Sequence, residues 1–462
     1  LAGCLRVHSL PWRGVCGVDT GLKCTSFAGM NTPHVSRTIR ASYALPALPL
    51  AAMYFPVFVF LSEFYAGVHG LNLATLGFVL LAIRIFDAVS DPVVGHLSDG
   101  SGWLGRRKLW LVAATPVVMF ATWQLFVPPD GVGVAWFAGW LFLLTFGWTL
   151  AMTPYFAWGA ELSGDYTERG RIAIWRESAG LIGTIGAAVL YGIGGGGSGG
   201  MEFIAWQVVL LLPLAVAICW WKVPDAVNYG RKTPALWDVV SILRNQAVFR
   251  RLIVAYFING LANGIAATLF VFFVSYRLGA PEMSGPLLVI YFGAAVLGAP
   301  LWNWLVGRYS KHRVWCWAMI YAGLVFVWTL ALGEGGWPYF AVICVLSGAA
   351  LGADLALPSA IQADLVDVAT AENGSQQTGA FFALWSVATK LALAVSGAAS
   401  LIYLDIVGFD VAVQNEAGSL TAMALLYGLG PIALKMIAVG MMWNFPVDRA
   451  AQVKLRQAIE AT

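Results

Sequence analysis

Arg84-Ile85-Phe86-Asp87-Ala88-Val89-Ser90-Asp91-Pro92 sets a guanidinium and two carboxylates inside an otherwise apolar run. Leu76-Gly-Phe-Val-Leu-Leu-Ala-Ile83 precedes it and Val93-Val-Gly-His-Leu97 follows. A helix turns by about 100° per residue, so positions 84, 87 and 91 share one face. In lipid a charge costs several kcal/mol unless it is paired or hydrated, and charges kept there mark ion or solute pathways. A single Arg–Asp pair would be enough to fix helix packing. Two acids one turn apart point to a cation site.

The rest of the chain fits a lipid solvent. Of 462 residues, 59% are apolar and 11% are charged, with a mean hydropathy of +0.75; soluble domains carry about 25% charged residues. A span needs about 20 apolar residues. Runs near 41–65, 72–96, 109–128, 134–158, 173–194, 203–222, 252–276, 284–306, 314–333, 337–360, 376–404 and 419–443 predict twelve of them. The expectation is an all-α integral membrane protein. Residues 1–40 form an N-terminal tail and 41–222 a first six-helix bundle. A linker with a short surface helix occupies 223–251, a second bundle 252–444 and a tail 445–462. Residues 1–29 mix Cys, Arg, Gly and Pro without periodicity and lack an apolar signal core, so they are read as an upstream extension or disordered, with Met30 as a candidate start.

Lys and Arg placement predicts orientation. Basic residues gather at Arg37 and Arg40, at Arg106-Arg107-Lys108, at Arg169 and Arg171, through 222–251, at Arg308, Lys311 and Arg313, and beyond 448. The alternate loops are free of them except for Arg277. Both termini are therefore expected in the cytoplasm, in a plasma or bacterial inner membrane. The net charge of +3 gives no reason to expect a nucleic acid. The six cysteines make no CxxC or metal spacing, and His8, His34, His69, His96 and His312 are scattered, which argues against a membrane enzyme. Gly194-Gly-Gly-Gly-Ser-Gly-Gly200 reads as a flexible loop without the Lys-Ser/Thr of a phosphate cradle.

The halves are weakly alike. Asp91-Pro92-Val-Val-Gly95 leads to Gly105-Arg-Arg-Lys108, and Ala299-Pro300 leads to Gly307-Arg-Tyr-Ser-Lys311-His-Arg313. Repeated halves around a cavity are the logic of alternating-access carriers. The second copy has Ala295 and Ala299 where the first has Asp87 and Asp91, so the cation site belongs to the first half.

The Arg-x-x-Asp-x-x-x-Asp-Pro-x-x-Gly run, its Ser98-Asp99 and Gly-Arg-Arg sequel, and Ala363-Asp364-Leu-Val-Asp367 resemble the glycoside–pentoside–hexuronide:cation symporters of the major facilitator superfamily over roughly residues 41–444. The resemblance implies two pseudosymmetric six-helix bundles and uptake of a sugar-like solute driven by Na⁺ or H⁺. It implies cation ligands at Asp87, Asp91, Ser90 and Thr149, and solute contacts at Arg176, Lys390 and Ser386. Two carboxylates with hydroxyl oxygens suit a hard cation or a shared proton. Melibiose permeases of that family carry acids where this chain has Met152, and a Lys-Asp pair where it has Leu50 and Ala51. A less hydroxylated solute, such as a lysolipid or another amphiphile, is the alternative.

Trp148, Phe156 and Trp385 are candidates for stacking on a solute ring, and Asp354 for facing the cavity or for pairing within the bundle. Asn259 and Asn263, four apart, suit interhelical bonds or solute contacts, and Lys435 has no assigned role. Arg106, Arg107, Lys311 and Arg313 are expected to pair with Asp99, Glu161 and Asp367 in a cytoplasmic gate. No cofactor beyond the coupling ion is expected. The expected partners are the solute, the cation and the bilayer, around a monomer.

Overall fold

The computed structural model describes residues 35–98, 107–163, 166–225, 244, 246–373, 378–411, 413 and 415–446. Among them the chain is helical without strands. Hydrocarbon offers the backbone no hydrogen-bond partner, so each apolar run closes its own ladder as a helix. Among the described residues, twelve helices are long and apolar enough to cross a membrane: Arg37–Val59, Leu73–Ser98, Arg107–Phe126, Val134–Glu161, Glu168–Ile193, Gly197–Lys222, Ala247–Arg277, Pro281–Arg308, Lys311–Ala331, Trp337–Val366, Leu384–Ile406 and Ala417–Met442. They are called the first to twelfth spans. The count matches the number of apolar runs; the ends differ. Past Pro56 the first span breaks at Phe60, resumes as Leu61–His69, and stops at Gly70 with φ 67°, a left-handed cap that glycine adopts without strain.

One expected loop is largely helix. The sixth span starts at Gly197, so only Gly194–Gly196 turn between it and the fifth. The Tyr191 hydroxyl accepts from the Gly197 N–H at 3.1 Å, and Gly200 abuts the Tyr191 ring, so glycines that read as flexible instead permit a tight corner. The linker's short surface helix lies outside the described residues.

Spans one to six pack chiefly among themselves, as do spans seven to twelve. The two sets meet along the second and eleventh spans, the fifth and eighth, and the first and seventh. Glycines allow the first two seams. A Cβ on Gly77 would sit 3.1 Å from the Ala398 carbonyl oxygen, and one on Gly285 would sit 2.6 Å from that of Ala188.

Because the spans alternate in direction, the molecule has two faces: the near face, where Arg37 and Met442 lie, and the far face. A buried cluster around Leu252, Trp315 and Leu365 belongs wholly to the last six spans. A larger cluster joins the first six spans to Phe270–Val274, Phe340, Leu404 and Tyr427, which lie toward the far face. Two polar contacts between the sets lie on that side. Asn72 donates to Asp405 between the second and eleventh spans, and the Tyr276 hydroxyl donates to Glu63 Oε1 at 3.4 Å.

Candidate functional site

Asp87 lies near the middle of the second span and is fully buried, whereas the side chain of Asp91, one turn on, keeps 28% exposure. The fourth span packs alongside and presents hydroxyls at the same one-turn step. Thr149 Oγ1 donates to Asp87 Oδ1 at 2.9 Å, and Thr153 Oγ1 donates to Asp91 Oδ1 at 3.4 Å. Ser90, expected among the cation ligands, instead donates its proton to the Asp87 backbone carbonyl at 3.2 Å, the usual local competition of serine in a helix.

Two cations balance the acids. Arg84 Nη1 is 3.6 Å from Asp87 Oδ2. Its guanidinium lies 4.2 Å from the Phe58 ring centre, and it donates to the Tyr54 hydroxyl. The second cation comes from the other half of the molecule. Lys390 Nζ of the eleventh span is 2.9 Å from Asp87 Oδ2 and donates to Asp91 Oδ2. Lys390 was expected at the solute; the structure puts its ammonium between the two carboxylates. A lysine stem long enough to cross the seam finds compensation there that lipid cannot offer.

The other expected solute contacts do not converge in the same way. Arg176 pairs with neighbouring Glu177 at 2.7 Å and lies 4.1 Å from the Phe156 ring centre, so one face of Phe156 is covered. Trp148 stacks on Tyr54 with centres 3.9 Å apart, and Trp385 stacks on Tyr256 at 3.8 Å. Each aromatic thus has one face engaged by the protein. Ser386 is exposed, Leu50 is buried, and Met152 packs against the core.

Asp354 is drawn into a closed network in the second half. Its Oδ1 accepts from Asn259 Nδ2 at 2.8 Å and Trp315 Nε1 at 2.7 Å; its Oδ2 accepts from Asn263 Nδ2 at 2.9 Å and Lys435 Nζ at 2.9 Å. Lys435 also donates to the amide oxygens of Asn259 and Asn263, each at 2.8 Å. Every proton of the ammonium and every lone-pair direction of the carboxylate is used. The cavity beside this network, lined also by Tyr291, Met319 and Ser347, measures only about 50 Å³, room for a few waters and not for an organic solute. Asp354 thus has interhelical partners on three other spans.

Of the expected gate, Arg107 does meet Glu161 at 2.8 Å and also bonds Ser98 at 2.7 Å. Lys311 meets Asp364 at 2.7 Å, and Arg313 is exposed. Asp99, Arg106 and the Asp367 side chain lie outside the described residues. Both observed pairs stay inside one half, so neither ties the halves together.

Thr153, Tyr54, Trp315 and Asp364 escaped the sequence reading. Thr153 had a signal, four residues after Thr149 and on the same helical face. Asp364 lay in a quoted motif. Tyr54 and Trp315 had none, since aromatics abound in this chain.

The family described as MFS/sugar transport protein matches residues 42–449. The chain belongs to that family. Relatives are distant but span nearly the whole length. A sodium-dependent lysophosphatidylcholine symporter 1-A from Danio rerio is 23% identical over 442 residues, covering 84% of this chain and 82% of that protein. The inner membrane symporter YicJ from Escherichia coli is 26% identical over 381 residues, covering 78% and 81%. Among solved structures, a bacterial homologue of the human lysosomal transporter Spinster, inward-facing and unoccupied, superposes with TM-score 0.65 at 12% identity over 90% of this chain and 100% of that one. The nucleoside transporter NupG does so with TM-score 0.63 at 13% identity over 87% and 98%. At these identities the superpositions establish the fold: that of major facilitator transporters.

Proposed function

We propose that this protein is a secondary active symporter that carries a sugar- or glycoside-like solute together with Na⁺ or H⁺ by alternating access, its basic near face in the cytoplasm. One observation carries the reading: Lys390, from one half of the molecule, stands between Asp87 and Asp91 of the other. A transported cation entering beside these carboxylates competes with the ammonium for the same oxygens. When it wins, the side chain that ties the eleventh span to the second is released, and the halves are free to move. Occupancy and motion are thereby linked through one exchange of charge.

The acids, with Thr149 and Thr153 beside them, form an oxygen-rich pocket suited to a hard monovalent ion, and equally to a proton shared between carboxylates. Partial exposure of Asp91 supports entry from its side. With the near face cytoplasmic, the cross-half contacts toward the far face correspond to a state closed to the outside. Arg176, half-buried against Phe156, is positioned to exchange Glu177 for a polar group of the solute.

A second reading of the solute rests on Leu50, Ala51 and Met152, which stand where sugar carriers of the resembled family hold charged groups. It is supported by the likeness to the lysophosphatidylcholine symporters, and it makes the solute an amphiphile. Proteoliposomes offered an α-galactoside or a lysophosphatidylcholine, under an imposed Na⁺ or pH gradient, test both. Gradient-driven accumulation of the galactoside supports the first reading and of the lysolipid the second. Uptake of either that ignores both gradients would refute coupling.

A further inference from the structure

Lys390 follows Thr389 on the eleventh span, and Thr389 is itself held from the seventh. The Tyr256 hydroxyl and Thr389 Oγ1 are 2.9 Å apart, and Thr389 Oγ1 lies 2.9 Å from the Trp385 carbonyl oxygen one turn back. A hydroxyl has one proton. Since the carbonyl can only accept, Thr389 donates to it and Tyr256 donates to Thr389. The Tyr256 ring also lies on the Trp385 indole, 3.8 Å between centres and 21° between planes. The turn that carries Lys390 is thus gripped at both its threonine and its tryptophan by one tyrosine.

That tyrosine is anchored in turn. Asn259 lies three residues further along the seventh span and belongs to the closed network of Asp354, Asn263, Trp315 and Lys435, which joins the seventh, ninth, tenth and twelfth spans. A buried network whose ammonium protons and carboxylate acceptor sites are all used is stiff, because a shift in any member leaves a charge less well satisfied. A continuous set of contacts therefore runs from this network along one turn of the seventh span, through Tyr256 to Thr389 and Trp385, and ends at Lys390.

We infer that Tyr256 and Thr389 are positioning residues for Lys390: they fix the turn from which its ammonium reaches the acids of the other half, and so set how strongly it competes with the coupling cation. The inference rests on the proposed role of Lys390 as that competitor. Tyr256→Phe keeps the stacked ring and removes the hydroxyl. Thr389→Val keeps the shape and removes the acceptor, and Thr389→Ser restores it. None of the three leaves a charge unpaired, so each is expected to fold.

The test uses the purified full chain in detergent without solute. The thermal midpoint is followed against NaCl with choline chloride as control, and in a parallel series against pH. The half-maximal concentration is read for whichever ion shifts the wild type. A less firmly aimed lysine competes less well, so Tyr256→Phe and Thr389→Val should lower that concentration by about three- to tenfold, with the double variant no further displaced than the larger single effect, as expected for members of one chain of contacts. Thr389→Ser should stay within about twofold of wild type. Superimposable curves for Tyr256→Phe, Thr389→Val and wild type would overturn the inference, as would a Thr389→Ser curve identical to that of a displaced Thr389→Val. Asp87→Asn separates the two levels of the claim. If wild type responds to an ion and Asp87→Asn does not, the cation reading stands whatever the positioning variants do. If neither ion moves the wild type, that reading falls and takes this one with it.

Discussion

Two buried Asp–Lys clusters, built from the same residue types, sit in this molecule and differ in almost everything that matters for function. The Asp354–Lys435 cluster lies within one half and is saturated: two asparagines and a tryptophan complete both charges. The Asp87–Asp91–Lys390 cluster crosses between halves and is left slack. Asp87 Oδ2 has no directed hydrogen bond although Lys390 Nζ is 2.9 Å away, and Asp91 keeps 28% exposure. A saturated pair resists exchange because any intruder must replace several aligned bonds at once. A slack pair with an exposed member can trade its ammonium for another cation. Burial of opposite charges does not by itself mark a transport site; the cluster proposed as one is set apart by incomplete satisfaction across the seam between halves.

The comparison can be broken by variants on each side. The largest effect is expected at the saturated cluster: Lys435→Met leaves Asp354 buried without its counter-ion and should cost about 3–5 kcal/mol of stability. The double variant Lys435→Met with Asp354→Leu should recover most of it, since removing both charges spares their desolvation. Denaturation monitored by tryptophan fluorescence measures both, and a mild single variant would contradict the saturation argument.

At the slack cluster, Asp87→Asn leaves buried Arg84 without its carboxylate and should lower stability, by less than Lys435→Met because Asp91 still holds Lys390. It should weaken cation-driven accumulation by about a hundredfold, the loss expected when one partner of a buried charge pair is neutralised. Gradient-driven uptake in proteoliposomes reads this, and retained coupling would remove Asp87 from the cation site.

Thr153→Val removes a 3.4 Å contact to the partly exposed Asp91, a hydrogen bond to a charged group worth about 1.5–3 kcal/mol at most and less at this length. The half-maximal cation concentration should rise by about three- to tenfold. The smallest effect is expected at the far face. Asn72→Ala removes the bond to half-buried Asp405 and should raise thiol labelling of a cysteine introduced at Leu401, which faces Gly77 across the seam, by about twofold. Labelling unchanged from wild type would mean that this contact does not help to hold the far face shut.

Most of the architecture was legible in the sequence because lipid imposes a strong pattern: apolar runs of span length, broken by polar turns, can only be helices. The pairing of Asp87 with Asp91 was legible because it is local, one helical turn. Thr149 could be placed through the family resemblance and Thr153 through its one-turn spacing. What could not be read was contact across the fold. Lys390 stands 299 positions from Asp91, and no periodicity links them. Its assignment to the solute came through the family resemblance, which names a partner by position in the chain and not by what the side chain meets in this fold. For Asp354 the sequence left pairing within the bundle open beside a place at the cavity. Its partners Asn259, Asn263 and Lys435 had each been noticed, but their convergence depends on how four helices pack. At Gly194–Gly200 composition misled, because the same glycines that confer freedom on a loop also admit a tight corner against Tyr191.

In the proposed mechanism the Lys390 ammonium contests the coupling ion's place. The direct measurement is the half-maximal concentration of Na⁺, or of H⁺, that stabilises purified Lys390→Met in the absence of solute. With the competitor removed, that concentration should fall at least about tenfold below wild type while gradient-driven transport is lost. An unchanged or higher concentration would contradict the account.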